Sequence, residues 1–197
     1  MKITLVIATH NQHKLEEINK ILCCKKILLK TLADFPAMPK VVEDGKTLED
    51  NAIKKALAIT KAFNLPALAD DSGLFVPALN NQPGVKSARY AGPDCDYAQN
   101  NNKLLNNMQK LTRSKRKAYF ATCIALSWPN GRVVTRLGKI WGDIPLQPCG
   151  EQGFGYDPIF IPRGNTKTFA QMSARKKNQL SHRALALRKI KNILDKI

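Results

Sequence analysis

The sequence predicts an α/β protein with a mixed β-sheet, and three observations support this class. An apolar run at residues 2–8 reads as a buried strand, and apolar residues then recur at helical spacing over residues 12–24. Further along, residues 118–128 alternate as a strand does, and a Pro-Asn-Gly turn leads into a second strand over residues 132–141. A strand–helix unit followed by a hairpin therefore favours a sheet that mixes parallel and antiparallel pairs.

The other elements follow from local signals. Thr47 is a helix cap, and Asp50 three residues later completes an imperfect capping box for a helix that runs to about Asn64. The remaining predictions, in chain order, are a strand over 27–32, a loop over 33–40, a short strand over 67–69, a short segment over 72–78, a turn over 80–84, a helix over 97–111, a short apolar segment over 159–161 and a final helix capped by Ser181.

Composition limits the class of protein. The 197 residues favour one domain, or one domain with a lobe, and a 44 % hydrophobic content is too high for a disordered chain. No apolar run approaches the roughly 18 residues of a membrane span, and the N-terminal run is too short for a signal peptide. We therefore expect a cytoplasmic protein. The spacing of the five cysteines contains no matched CxxC pairs and does not predict a zinc site.

The net charge of +17 predicts an anionic partner, with nucleic acid, nucleotides and acidic membranes all candidates. The charge is unevenly distributed. Residues 110–117 and 163–196 are basic, whereas acids concentrate in one part of the chain, at Glu43, Asp44, Glu49, Asp50, Asp70 and Asp71. This segregation fits a phosphate-binding surface facing a small acidic metal site. The alternative is that each basic segment is only solvated surface.

Asp70 and Asp71 are the most informative pair in the chain. They follow the apolar residues 65–68 and precede Ser72-Gly73, so we expect them where a strand-like segment breaks. Carboxylate oxygens suit a hard divalent cation such as Mg²⁺, and a carboxylate can also accept a proton from water. The first hypothesis is a metal-assisted hydrolase that acts on an anionic substrate.

Two other segments are candidate phosphate contacts. Residues 9–14 link a strand to a helix N-terminus, where free backbone N–H groups favour an anion, and Lys14 adds a positive charge. Lys55 shares a helix face with Asn51 one turn away. Each has a plainer alternative: the loop is purely structural, and the lysine is solvated surface unless its helix packs beside Asp70-Asp71.

Two segments near the C-terminus are candidate contacts for a flat ring. The loop over residues 153–158 combines glycines with Phe154 and Tyr156, which serve either to stack on a base or to fill the core of a tight turn. His182 and Arg183 open the last helix and offer hydrogen-bond donors. A structural role for His182 is the alternative.

Taken together, these segments resemble the Ham1/inosine triphosphatase family almost from end to end. The resemblance rests on ordered motifs: residues 7–14 (IATHNQHK), 43–56 (EDGKTLEDNAIKKA), 69–76 (ADDSGLFV), 83–92 (PGVKSARYAG), 153–160 (GFGYDPIF) and 177–183 (KNQLSHR). It implies a single domain over residues 1–197, in which an elongated mixed sheet with flanking helices forms two lobes around a central cleft. It also implies a homodimer.

The resemblance further implies an activity: Mg²⁺-dependent hydrolysis of non-standard purine nucleoside triphosphates (ITP, dITP, XTP) to the monophosphate and pyrophosphate. Two other functions stay open, a related house-cleaning pyrophosphatase for pyrimidine or modified nucleotides, and a basic nucleic-acid-binding protein. The family pattern requires no membrane and no stable nucleic-acid partner.

Site residues carry over from the family motifs position by position. Asp71 is implied as the catalytic base, with Lys55 as a second catalytic residue, and Glu43, Asp70 and Asp71 as the Mg²⁺ ligands. The triphosphate is expected against Thr9, His10, Asn11, Gln12, His13, Lys14 and Ser72. The purine is expected against Phe154, Gly155, Tyr156, Asp157, Lys177, His182 and Arg183. This chain departs from the family pattern at His10, His13, Gln171, Arg175 and Lys176.

Overall fold

The computed structural model describes residues 2–22, 26–37, 39, 41–94 and 96–196. Three of the five cysteines whose spacing was considered above, Cys23, Cys24 and Cys95, therefore lie outside the described residues. Its strands are β1 (Ile3–Ile7), β2 (Ile27–Thr31), β3 (Ala67–Val76), β4 (Gln82–Pro83), β5 (Lys117–Ser127), β6 (Val133–Asp143) and β7 (Ile161–Pro162). Its helices are α1 (Gln12–Leu22), α2 (Leu48–Phe63), α3 (Tyr97–Asn107), α4 (Ala174–Leu180) and α5 (His182–Leu194).

The strands form one mixed sheet in the order β2-β1-β3-β5-β6-β7, with β4 paired to β3. β1 pairs in parallel with β2, and also with β3, where Val6 lies opposite Ala67. The β3–β4 and β6–β7 pairs are antiparallel. This arrangement confirms the predicted α/β class with a mixed sheet. The single domain around a central cleft stays a prediction.

The chain forms two compact units. The first comprises residues 1–71, 122–138 and 183–197. Its core packs α1 and α5 against the first three strands of the sheet order and the end of β5, and it is built from Leu5, Ile7, Ile18, Leu22, Ile27, Leu68, Ile124, Leu126, Ala186, Leu187, Ile190 and Leu194. The helical periodicity of α1 and α5 follows from this burial, because every third or fourth side chain faces the core.

The second unit comprises residues 72–121 and 139–182. Its core is richer in aromatic rings: Phe120 lies 4.7 Å from Phe160 and 6.3 Å from Phe169, measured between ring centroids. The remaining core side chains are mostly aliphatic, from Leu74, Val76, Leu104, Met108, Ala118, Ile144, Tyr156, Ile159 and Met172.

One prediction about β3 is wrong. The sequence suggested a strand over 67–69 that breaks at the two aspartates, with another short segment over 72–78, but β3 runs unbroken from Ala67 to Val76. Both carboxylates are buried in the middle of the strand. A buried charge is tolerated when it is paired and hydrogen-bonded. Cations from distant parts of the sequence pair with these two carboxylates, and this allows the strand to continue through them.

The capping prediction for α2 is confirmed. The Thr47 hydroxyl accepts a hydrogen bond from Asp50 N at 3.0 Å, and Asp50 Oδ2 accepts one from Thr47 N at 3.0 Å. The helix ends at Phe63, and Asn64 takes a left-handed conformation with φ 51°. Helix α4 was not predicted. It is seven residues long, and Ser173 caps it by accepting a hydrogen bond from Lys176 N.

Gly73 in β3 makes a close backbone approach. A Cβ at this position would lie 2.3 Å from the carbonyl oxygen of Gly84, a distance that backbone atoms cannot accommodate without moving. We therefore expect Gly73→Ala to lower the free energy of unfolding by about 1–3 kcal/mol, the usual range for overpacking. Urea denaturation measures this, and an alanine variant with an unchanged midpoint would contradict the close approach.

Two cysteines in the described residues have opposite environments. Cys123 in β5 is buried, and burial, with smaller contributions from the charges of Glu49 and Asp71, raises the pKa of its thiol to about 12. Cys149 is exposed, and its carbonyl oxygen accepts a hydrogen bond from the Thr168 hydroxyl at 2.6 Å.

Candidate active site

The first unit holds a buried cluster of charges around Asp70 and Asp71 of β3. Successive strand residues point to opposite faces of a sheet, so the two carboxylates face different partners. Asp71 faces α2, and Asp70 faces α1 and the start of α5. The condition set for Lys55 is met: α2 packs beside the aspartates, and the lysine contacts both of them and is not merely solvated surface.

Helix α2 supplies the partners of Asp71. Asn51 Nδ2 donates to Asp71 Oδ2 at 3.1 Å, and Lys55 Nζ lies 3.3 Å from Asp71 Oδ1. The same ammonium lies 3.1 Å from Glu43 Oε2 and donates to the backbone oxygen of Asp70 at 2.8 Å. Asn51 Oδ1 also accepts from Gly45 N at 2.8 Å, which ties the loop carrying Glu43 to the helix.

Asp70 is the centre of an alternating network of charges. Its Oδ2 atom accepts from Arg183 Nε at 3.1 Å and from Arg183 Nη2 at 3.0 Å, and it lies 3.2 Å from Lys14 Nζ. Arg183 Nη1 in turn donates to Glu17 Oε2. Lys14 and Glu17 are three residues apart on α1 and so share one face of the helix. The two acids and two bases of this network together carry no net charge.

Burial and neighbouring charges shift the pKa values of this cluster. Burial raises the pKa of Asp71, and the attraction of Lys55 and Lys14 opposes that rise only in part. Burial acts to lower the pKa of Lys55, but the negative charges of Asp71, Asp70 and Glu43 outweigh it and raise the pKa. Lys14 has a lowered pKa because burial, with Arg183 and Lys55 nearby, outweighs the attraction of Asp70.

The loop before α1 is ordered by its own side chains. Asn11 Oδ1 accepts from Lys14 N at 3.1 Å, which caps the first turn of the helix, and Asn11 N donates to Thr9 Oγ1 at 3.2 Å. His10, Gln12 and His13 are exposed. These five residues and Lys14 stay predicted phosphate contacts, as does Ser72, which is half-buried in β3.

The oxygens around Lys55 fit a hard divalent cation. Glu43 Oε2 and Asp71 Oδ1 converge on one ammonium group, with a backbone oxygen beside them, and Glu43 is partly exposed. Within the described residues, no group of three or more His, Cys, Asp or Glu side chains is arranged to hold a metal ion. This donor set matches Mg²⁺, which usually takes one or two carboxylates and completes its coordination with water and phosphate oxygens.

The second unit holds the glycine-rich loop. Asp157 Oδ2 accepts from Phe154 N at 2.8 Å and from Lys177 Nζ at 2.5 Å. Gly153 has φ +79°, and a Cβ there would lie 2.1 Å from Asp157 Oδ2, so only glycine permits this tight turn. Asn101 of α3 donates to the carbonyl oxygen of Gly155 at 3.0 Å.

The two aromatic residues of this loop differ. Tyr156 is buried in the core of the second unit and donates its hydroxyl to Ser87 O at 2.8 Å, which is the structural-turn alternative. Phe154 is half-buried, and Lys177 Nζ lies 4.5 Å from its ring centroid. The His182 ring stacks on Phe120 at 4.5 Å with an interplanar angle of 8°. The ring of Phe154 thus remains the better candidate for contact with a flat ligand.

Sequence reasoning missed several residues that organise these clusters. Glu17 is the clearest, and its spacing of three residues from Lys14 was an available signal. Asn51 was noted only as a neighbour of Lys55, although it contacts Asp71 directly. No local signal identifies Asn101, because its partner, Gly155, lies 54 residues away in the sequence.

Comparison with known proteins gives a consistent result. The model of the Ham1 family matches residues 5–193. A dITP/XTP pyrophosphatase of Lactiplantibacillus plantarum is 46 % identical over 192 residues, which cover 98 % of this chain and 95 % of that protein. A dITP/XTP pyrophosphatase of Bacillus subtilis is 42 % identical, with 96 % of each chain covered.

Solved structures agree with the sequence comparison. A HAM1 protein from Coxiella burnetii superposes with a TM-score of 0.91 at 38 % identity, covering 99 % of this chain and 100 % of that one. The Ham1 protein of Staphylococcus aureus gives a TM-score of 0.88 at 39 % identity, with 98 % of both chains covered. In the part of the chain that the structure describes, no helix has the length and apolar character needed to cross a membrane.

Proposed function

This chain belongs to the Ham1 family, and on that premise we propose that it hydrolyses non-standard purine nucleoside triphosphates, such as ITP, dITP and XTP, to the monophosphate and pyrophosphate. The names of the relatives favour a purine substrate over a pyrimidine one and over nucleic-acid binding. The observation that carries the proposal is the position of Asp71, a buried carboxylate held between an amide donor and an ammonium group.

Asp71 is the base in this proposal. The bonds from Asn51 and Lys55 favour its ionised form, in which an oxygen can accept a proton. Burial raises its pKa and so makes the carboxylate a stronger base than an exposed aspartate. Asp71 takes a proton from water, the water oxygen bonds to phosphorus, and the bond between the first two phosphates breaks to release pyrophosphate.

Lys14 and Lys55 supply positive charge for the phosphates. Both ammonium groups are largely shielded from water, where an electrostatic contact is stronger than at the surface. Asp70 fixes Lys14, and two carboxylate oxygens and one backbone oxygen fix Lys55, so neither side chain has to reorganise as charge develops on the phosphate oxygens. The N-terminus of α1, after Thr9 and Asn11, adds backbone donors.

Mg²⁺ is the proposed cofactor. Glu43 and Asp71 would hold it beside Lys55, because both carboxylates reach that ammonium group and therefore lie close together, whereas Asp70 Oδ2 already meets Arg183 and Lys14. Asp70, expected as a third ligand, would act through the cations it holds. The ion would neutralise phosphate charge and orient the attacking water. Asn51 of α2 hydrogen-bonds to both the Glu43 loop and Asp71, which prepares both carboxylates for a shared cation.

Residues of the second unit would select the purine ring of the substrate. Phe154 offers a ring face, and Lys177 offers an ammonium donor that Asp157 orients. A donor aimed at the 6-oxygen of hypoxanthine or xanthine meets another donor when adenine carries an amino group there, and this mismatch rejects adenine. His182 is held by its stacking on Phe120 and would add a second donor. Arg183 would contribute by holding Asp70.

Two further parts of the proposal rest on the family resemblance. The protein would be a homodimer, and it would work in the cytoplasm, where the nucleotide pool is found. Analytical ultracentrifugation of the purified chain gives the mass in solution and so tests the first of these.

The purine proposal predicts a clear order in an assay of pyrophosphate release. With Mg²⁺ present, kcat/KM for ITP, dITP and XTP should exceed that for ATP by about 10⁴-fold, the range reached when a buried hydrogen-bonding group is left unpaired. UTP and CTP should be turned over no faster than ATP. Faster release from a pyrimidine nucleotide would favour the related house-cleaning enzyme, and release from none of them would remove the enzymatic proposal.

A further inference from the structure

The first unit contains a cavity of about 540 Å³ that has no part in the proposed reaction. It is lined by Arg132, Arg136, Lys189, Asn192, Ile193 and Lys196, which we call the basic cavity. Four of these six residues carry a positive charge, and none carries a negative one. The volume lies within the roughly 300–1,000 Å³ that is usual for small-molecule sites.

Helix α5, with the residues just after it, and the β5–β6 hairpin build the basic cavity. Lys189, Asn192, Ile193 and Lys196 follow the i, i+3, i+4, i+7 spacing of one helical face along and just beyond α5. Arg132 comes from the turn between β5 and β6, and Arg136 from β6 itself. The four cations therefore converge from separate parts of the sequence, so their grouping is a property of the fold and not of a basic run.

Neutral groups, not carboxylates, hold three of these cations. Lys189 Nζ donates to the backbone oxygen of Leu137 at 2.8 Å, and Arg136 Nη1 donates to the backbone oxygen of Thr135 at 2.7 Å. The guanidinium of Arg132 lies 4.8 Å from the ring centroid of Trp128. Among the described residues, no carboxylate forms an ion pair with any of the four.

A group of uncompensated like charges is unfavourable in a folded protein that already carries a net charge of +17. All four side chains are exposed and screened by water, but their convergence on one cavity concentrates positive charge there and favours the binding of an anion. Guanidinium groups suit phosphate oxygens in particular, because their planar N–H donors match the spacing of two oxygens.

We propose that the basic cavity binds an oligophosphate, a chain of linked phosphate groups, at a site separate from the catalytic cluster. Its multiple charges match four cations, and its size matches the cavity. Single-stranded nucleic acid fits less well, because binding of that kind relies on an aromatic face for base stacking. No described residue that lines the cavity is aromatic, and the ring of Trp128 is already in contact with Arg132. The proposal is independent of the reaction assigned above.

Arginine side-chain NMR tests the proposal at the site itself. The protein is titrated with inorganic triphosphate without divalent metal, at about 150 mM salt to screen weak surface contacts. The Nε–H resonances of Arg132 and Arg136 should shift and saturate with a Kd below about 1 mM. These signals report on the basic cavity alone, so binding at Lys14 and Lys55 does not interfere.

A pair of charge-matched variants distinguishes a specific binding site from non-specific electrostatic attraction to a basic protein. R136Q/K189Q/K196Q removes three cations of the cavity and should weaken binding, read at Arg132, by about tenfold or more, since it removes charge-assisted hydrogen bonds to the phosphate oxygens. K110Q/K115Q/K167Q removes the same charge from exposed residues outside it and should change the Kd by less than about threefold, as expected for screened surface charges.

Titration with ATP, compared with inorganic triphosphate, identifies the source of the phosphate chain. If ATP and inorganic triphosphate bind with equal affinity, both without metal, the cavity recognises phosphate groups alone. If ATP binds more tightly, the cavity takes the phosphate chain of a nucleotide. Shifts that stay linear with concentration, or equal weakening in both triple variants, overturn the proposal. So does a single-stranded oligonucleotide that binds more tightly than triphosphate.

Discussion

Asp71→Asn is expected to lower the rate of pyrophosphate release from ITP by about 10²–10⁴-fold, the contribution usually made by a positioned general base. Asparagine has nearly the shape of aspartate and can still accept one hydrogen bond, but it cannot take a proton from water. It also removes the negative charge that Lys55 faces at 3.3 Å. Initial rates at saturating ITP and Mg²⁺ measure the loss.

Asp44→Asn is the matched control for this experiment. Asp44 lies in the same acidic stretch and forms an ion pair with Lys54, but both side chains are exposed. Its replacement removes the same charge and should leave the rate within about twofold of the original, as expected for a screened surface pair. Release from the Asp71 variant near the original rate would remove the assigned base. Circular dichroism of both variants checks that the fold is retained.

Arg183→Leu is expected to lower the free energy of unfolding by about 3–5 kcal/mol, the cost of leaving a buried charge without its partner. The substitution strands Asp70, whose side chain is fully buried, with Lys14 as its remaining cation in this network. It also removes the donor that pairs with Glu17. The midpoint and slope of urea denaturation give the change.

Another arginine of α5 provides the comparison. Arg188→Leu removes an exposed guanidinium from the same helix and should shift the unfolding free energy by less than about 1 kcal/mol. The double variant D70N/R183L should recover part of the loss, because asparagine has no charge to strand. An Arg183 variant as stable as the Arg188 variant would show that the ion pairs contribute nothing.

The secondary-structure elements that were predicted correctly are those specified by residues close together in the sequence. The alternation of β5, the periodicity of α1 and α5 and the capping box at Thr47 all lie within a few neighbouring residues. The unbroken β3 was beyond local reasoning, because the groups that neutralise its aspartates come from distant segments. Arg183 lies 113 residues from Asp70, and nothing in either motif specifies that pairing.

Pairing between residues that are far apart in the sequence also limited the prediction of the site. Motifs identified Asp71, Lys55 and Lys14 as chemically important, and the structure brings these three side chains to one cluster. It also ties Arg183 to Asp70 and Glu17, whereas its sequence neighbour His182 stacks on Phe120 in the second unit. Adjacent residues at a helix start diverge by about 100° around the axis, so neighbours in sequence need not share a ligand.

The contrast between Cys123 and Cys149 provides a selective attachment point. The thiolate is the form that reacts with maleimides, and at neutral pH a thiol whose pKa is about 12 hardly populates it, whereas Cys149 is open to solvent. In a variant whose Cys23, Cys24 and Cys95 are replaced by serine, one fluorophore would couple at Cys149. The backbone N–H of Cys149 donates a hydrogen bond to Pro158 O, and its carbonyl oxygen accepts one from the Thr168 hydroxyl. The dye's emission would therefore report on nucleotide occupancy of the glycine-rich loop without radioactive substrate.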